Sequence, residues 1–388
     1  MKDLTKGKPS SLILSFAFPI FLANLLQLTY SLADTRIVGS FLGEDALAAV
    51  GSTSTVSNLI IGFLLGLANG FAIITAQRFG AKDVKGMKKS FAASILLGTG
   101  ISIVLTVLGM IFKNTLLGFL NVPHNLYGEA GAYIFIIIAG MTATFLYDSC
   151  AAVLRSLGDT ITPLIILLVS VALNITGDLF FVVVLKSGVR GAAIATVLAQ
   201  IIAFVICFVY MFKKYEILRL TKSDFTSLDG NLVRNMLGSG LSMGFMSSLV
   251  NIGSLTLQTA INKLGQDIIV AHTAARKISE MFMIMFTVFG QTMATYCGQN
   301  MGAGRIDRVK TGIKSALIYT CSWCVLTVIA SYTIGDWLIY LVTGSNNENV
   351  IRNAVNYLKF DTVFYFVTAF ICILRNAMQG LGEHIIPL

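Results

Sequence analysis

Apolar residues along this chain come in long unbroken blocks, and the polar residues gather between them, without the alternation of a half-buried strand. Ten blocks stand out, over residues 11–35, 47–76, 90–112, 130–154, 163–185, 191–212, 237–261, 268–297, 313–342 and 351–378. Each is long enough to cross a hydrocarbon layer about 30 Å thick, which takes roughly 20 helical residues. Lipid offers no partner for an open backbone, so a spanning segment must be a helix or a strand of a closed barrel. The ten-residue alternating pattern of barrel strands is absent. The pattern predicts an all-α polytopic membrane protein.

Composition agrees and narrows the function classes. Of 388 residues, 55% are hydrophobic and 12% charged, against about 25% charged in soluble domains; the mean hydropathy is +0.80. Soluble enzyme folds are excluded. A net charge of +9 would point to nucleic acid in a soluble protein, but here Lys and Arg alternate by side. With the N-terminus inside, 19 fall in loops and helix ends on the cytoplasmic face and 7 on the other, while Arg276 and Lys277 lie within a span. That bias predicts a multi-pass protein of the inner (plasma) membrane with a cytoplasmic N-terminus and no nucleic-acid partner. The apolar stretch after the basic N-terminus is too long for a signal peptide and reads as a retained first span. Five of six cysteines lie inside apolar blocks, and Cys321-Ser322-Trp323-Cys324 has neither a second pair nor a nearby His, so no disulfide framework or metal site is expected.

The chain repeats itself. Leu42-Gly43-Glu44-Asp45 returns as Leu264-Gly265-Gln266-Asp267, and Gln77-Arg78-Phe79-Gly80-Ala81 as Gln299-Asn300-Met301-Gly302-Ala303, both 222 residues later. Leu157-Gly158-Asp159 and Leu381-Gly382-Glu383 agree at an offset of 224. Two pseudo-repeated helical lobes are expected: residues 1–212 with six transmembrane helices, a linker at 213–235, and 236–388 with four of an expected six. An even number of spans per unit makes the repeat parallel. The first half continues for 48 residues beyond Leu164, whereas the second stops at Leu388, so two further helices are expected in a full second half.

Carboxylates inside spans are costly and mark function or pairing. Glu280 follows Arg276 by four residues and can pair with it. Asp148 has Arg155 two turns away as a partner; Asp336 lies near a span end. Asp361, close to Tyr357 and Tyr365, is a further candidate. Asp34 and Asp178 lead. Asp178 follows Asn174 by one helical turn, so amide and carboxylate share a face, and Asp178 and Thr196 lie at matching depth on adjacent spans. Such oxygens suit Na⁺, or Asp178 can carry a proton. Pro19 removes a backbone hydrogen bond from the first span and is the expected bending point. His124 and His272 read as solvated or structural. Phosphate-loop, zinc-protease and nucleophile-elbow motifs are absent, so no enzyme is predicted, and active transport by this chain would draw on an ion gradient.

These residues resemble the multidrug and toxic compound extrusion (MATE) transporters over the whole chain. Ala33-Asp34-Thr35 with Val38-Gly39 and Leu42-Gly43 is similar to the family's first-helix motif. The two Gln77 and Gln299 segments resemble its paired loop motif, and Leu154-Arg155-Ser156-Leu157-Gly158-Asp159-Thr160 its LRGxGDT. The resemblance implies twelve helices, so a chain lacking the last two, and in the DinF-like branch a cation site on Asp34, Asn174, Asp178 and Thr196. It implies a cation-coupled (H⁺ or Na⁺) antiporter that exports amphipathic, often cationic drugs by alternating access, with no cofactor beyond the coupling ion. The partners are then small-molecule substrates and the lipid bilayer, with no oligomeric state indicated. The alternatives are a lipid-linked oligosaccharide flippase of related two-lobed fold and an inactive truncated chain.

Overall fold

The structure, a computed structural model, describes residues 2–387 apart from 121, 124, 125, 227, 262, 345 and 346; His124 thus lies outside the described residues. The described chain is helical. In order come α1 (Pro9–Leu42), α2 (Glu44–Gly80), α3 (Val84–Ile111), α4 (Lys113–Phe119), α5 (Tyr127–Ser156), α6 (Ile161–Asp178), a π turn (Leu179–Val184) and α7 (Gly188–Lys214). A short segment with α8 (Lys222–Thr226) leads to α9 (Gly230–Ile261), α10 (Gln266–Gly302), α11 (Ile306–Thr333), α12 (Gly335–Thr343) and α13 (Glu348–Leu381).

Among the described residues, nine helices are long and apolar enough to cross a membrane. The tenth long helix, α10, is interrupted by Arg276, Lys277 and Glu280. Large apolar side chains point outward all along them, as with Val104, Leu168, Leu326 and Phe360, which is what a lipid-facing surface requires. The span expected over 313–342 is two helices: α11 ends at Thr333, and the chain turns at Ile334 into α12. Asp336 sits in the first turn of α12, where the helix dipole favours an acid. All six cysteines are free.

The helices form two lobes, six long helices in the first and four in the second. The lobes meet where the repeated Gln-x-x-Gly segments end α2 and α10. A Cβ on Gly80 would lie 1.9 Å from the carbonyl oxygen of Gln299, and one on Gly302 would lie 1.9 Å from that of Gln77. The two contacts are the same contact seen from either lobe. Farther along, Gly70 abuts Ser239 and Gly66 abuts Met243, where a Cβ would come within 2.5 Å of each carbonyl; the Ser239 hydroxyl donates to the Gly70 carbonyl at 2.8 Å. Toward the opposite end the lobes part, and nothing lies within 4 Å of a Cβ built on Gly51 or Gly253.

The first residues of the chain are clamped into this seam. Leu4 is fully buried. Its N–H donates to Gln299 Oε1 at 3.0 Å, and its carbonyl accepts from Asn300 Nδ2 at 3.3 Å and Arg308 Nη2 at 3.2 Å. Gln299 also donates to the Ser156 carbonyl at 2.7 Å, tying α10 to the end of α5. Beside it, the α5–α6 turn is fastened by Asp159, which accepts from the Thr162 N–H and hydroxyl at 3.0 and 2.7 Å and from the Tyr215 hydroxyl at 2.5 Å. Burial works against the charged carboxyl, but the hydrogen bonds from Tyr215 and Thr162 outweigh it and hold its pKa below the ordinary 3.8. Asp159 therefore contributes stability above pH 3.8 that is lost as pH falls through its lower folded value.

Two outcomes follow. Gly80→Ala or Gly302→Ala should destabilise by about 1–3 kcal/mol, the usual cost of overpacking against atoms that cannot yield, whereas Gly51→Ala, facing open space, should be neutral or gain up to about 1 kcal/mol from helix propensity. Thermal unfolding in detergent, followed by labelling of the buried cysteines, checks the order. Asp159→Asn should lower the unfolding temperature at neutral pH, and the gap to the parent should close as pH drops below 3.8; a gap that persisted there would contradict a charge-dependent fastening.

Candidate cation site

Small residues let α6 and α7 approach closely. A Cβ on Gly177 would stand 3.1 Å from the Ala195 side chain and one on Gly191 3.0 Å from Phe181, so no bulky group separates the polar residues of the two helices. Asn174 sits between Asp178 and Thr196. Its amide nitrogen donates to Asp178 Oδ2 at 2.9 Å, and its oxygen accepts from the Thr196 N–H at 3.2 Å and hydroxyl at 3.1 Å. Asn174 and Asp178 are buried. Asp178 is the last residue of α6, and the next six form the π turn, a geometry that recurs at functional positions.

Asp34 arrives from α1. Its carboxyl lies within hydrogen-bonding reach of Asp178, so two residues 144 positions apart in sequence share one polar spot. Oδ1 of Asp34 and Oδ1 of Asp178 are buried without a protein partner. Two carboxyls this close suit a shared proton or a cation, because two bare negative charges at that distance repel strongly. The donors are all oxygens, with one amide, the pattern of a hard-cation or proton site.

Two tyrosines complete the group and were not singled out by sequence. Tyr30, one turn before Asp34 on α1, lies beside Thr196 and both carboxyls; Tyr133 of α5 lies near the same pair. The four-residue step from Tyr30 to Asp34 was the one available signal. Among the other weighed residues, Arg276 and Glu280 do pair, at 3.7 Å, and Lys277 joins Glu280 at 3.5 Å. Arg155 does not form an ion pair with Asp148 within 4 Å; its Nη2 donates instead to Asn69 Oδ1 of α2 at 3.2 Å, because two turns along one helix leave the groups too far apart to touch. Asp361 lies in the second lobe, apart from Asp34, and accepts from Ser279 at 2.7 Å and Tyr365 at 3.0 Å. His272 is buried with neither ring nitrogen bonded, its ring edge-on to Tyr357 at 5.1 Å. Helix α1 passes through the buried Pro19 without interruption.

A repeated, two-lobed bundle of membrane-crossing helices with a paired-carboxylate site inside one lobe is the framework of a membrane transporter. The chain belongs to the MatE family, whose model matches residues 19–180 and again 242–388. The probable multidrug resistance protein YpnP of Bacillus subtilis is 28% identical over 384 residues, covering 98% of this chain and 84% of its own length. An FAD transporter of Shewanella oneidensis is 22% identical over 325 residues, covering 82% of this chain and 71% of its own. The crystal structure of MATE in complex with MaL6 has the same fold, with a TM-score of 0.92 at 23% identity over 99% of this chain and 86% of that one.

Removing the central amide tests the arrangement. Asn174→Ala leaves the fully buried Asp178 without its donor and should cost about 1–3 kcal/mol of stability. Thr176→Ala, whose exposed hydroxyl bonds only the Ala172 and Leu173 carbonyls of its own helix, should stay within about 0.5 kcal/mol; equal effects would mean that Asn174 is an ordinary packing residue.

Proposed function

We propose that this protein is a cation-coupled antiporter that exports amphipathic organic compounds, with its coupling site on Asp34, Asn174, Asp178 and Thr196, as in the DinF-like branch, joined by Tyr30 and Tyr133. The observation that carries the reading is the contact between Asp34 and Asp178, because the helix that brings Asp34 belongs to both lobes. The first half of α1, through Leu12, Ile13, Phe16 and Ile20, packs on Val288, Phe289, Met293 and Tyr296 of α10. Its other end packs through Val38 on Val182, Val189 and Ala192 of the first lobe.

Binding H⁺ or Na⁺ from the outer side neutralises the carboxyl pair and changes how the outer half of α1 holds α6. The inner half, which carries Pro19, passes that change to the second lobe. Residues 1–212 and 236–388 are then the two moving bodies and 213–235 their connection, with the basic, closed end facing the cytoplasm. Drug and cation favour different conformations, as coupling requires. The multidrug description of the Bacillus relative supports this substrate class. No cofactor enters, and no catalytic group is needed.

The test is efflux of ethidium from cells expressing this chain, with Na⁺ and pH gradients imposed separately. Parent cells should extrude the dye under one of the two gradients, and Asp34→Asn and Asp178→Asn should each cut the coupled rate at least about tenfold, the loss for about 1.4 kcal/mol of coupling. Unchanged gradient dependence in both variants would remove these carboxyls from the coupling step.

A further inference from the structure

Between the lobes, beside the seam, lies a narrow recess that the coupling site does not use. Its polar walls are Asn69 of α2 and Arg155 of α5 on one side and Gln291 and Thr295 of α10 on the other, with Ile20 and Met243 as apolar neighbours. No carboxylate lines it. Arg155 makes one hydrogen bond, to Asn69, and among the described residues no acid lies within ion-pair distance of it. Gln291 and Thr295 have no side-chain hydrogen bond among the described residues.

A guanidinium held between packed helices loses much of its hydration; one neutral amide does not replace it, and the charge of Asp148 acts on it only from beyond contact. Arg presents five N–H donors in a planar fork, and the group that satisfies such a fork is a carboxylate, which accepts two parallel bonds. The facing amide and hydroxyl on α10 add neutral donors for the same anion. The space in the present conformation admits about one water, so a carboxylate and the body of an amphiphile enter only as the lobes separate. The lobes part beyond the Gly62 level, where an apolar body has room.

We propose that this recess is a substrate subsite for an organic carboxylate: Arg155 binds the carboxylate of an amphipathic anion or zwitterion, and Gln291 and Thr295 bind it from the opposite lobe. A substrate held in this way is bonded to both lobes at once, so its arrival and release are tied to their separation. The proposal rests on the export reading above and refines its substrate class.

A matched pair of dyes isolates the carboxylate: rhodamine 110, with a free carboxyl group, and rhodamine 123, its methyl ester. Binding is measured by fluorescence polarisation on the purified full chain in detergent, and transport by efflux from cells. The parent should bind the acid more tightly than the ester. Arg155→Gln should weaken the acid about tenfold and the ester less than about twofold, in line with the strength of charge-assisted hydrogen bonds. Arg155→Lys should restore part of the loss. Gln291→Leu, which leaves the contact between Arg155 and Asn69 in place, should also weaken the acid selectively. Equal loss of both dyes in Arg155→Gln, or no preference for the acid in the parent, overturns the subsite. Efflux of the ester without preferential binding of the acid overturns the subsite and leaves the export reading standing. Selective binding without efflux of either dye supports the subsite and overturns the export reading.

Discussion

The closeness of two backbones governs this molecule. At Gly80 and Gly302 each lobe lays a glycine directly on a glutamine carbonyl of the other, at a distance that admits no side chain. Without a hydrophobic driving force between helices in lipid, association depends on dispersion contacts and hydrogen bonds over short range, and glycine is what brings α2 and α10 within that range. The contact is doubled by the sequence repeat, so the same local geometry is used twice about a pseudo-axis. Once the seam is set at one end, the splay of the lobes at the other follows from the lengths of the helices, which run roughly 50 Å in the case of α1 with its 34 residues.

Helix α1 breaks the division into two bodies. Its early residues are part of the second lobe's core and its late residues part of the first lobe's. Any relative movement of the lobes must bend, slide or tilt this helix, and the one residue in its interior that cannot donate to the helical ladder is Pro19. Asp34 stands on the half that remains with the first lobe. Asp34 of the polar pair is thus placed on the helix that both lobes share.

Much of this was legible in the sequence because the bilayer imposes a coarse rule: nine of ten marked spans coincide with single long helices or, in α6, a helix prolonged by its π turn. The ninth did not, since mean apolarity is blind to a turn at Ile334 between two apolar stretches. Asn174 and Asp178 could be placed on one face by their spacing, and Thr196 at their depth by counting. The contact with Asp34 could not be computed in that way, because it depends on how α1 crosses α6. Little in the sequence marks Tyr30 and Tyr133, because tyrosine is ordinary in a membrane helix. Arg155 was assigned to Asp148 along its own helix, whereas its nearest acceptor came from α2, a reminder that a side chain's partner is as often on a neighbouring element as on its own.

The clamped N-terminal segment carries a built-in clock. The amide of Leu4 is buried and bonded to Gln299 of the second lobe, while no helical ladder protects it. Hydrogen exchange at that one amide then requires the N-terminal segment to leave Gln299, so its rate counts releases of this segment, apart from the slower unfolding that exchanges the helix interiors. The hold of the second lobe on the start of the chain becomes readable in solvent deuterium from a single backbone N–H.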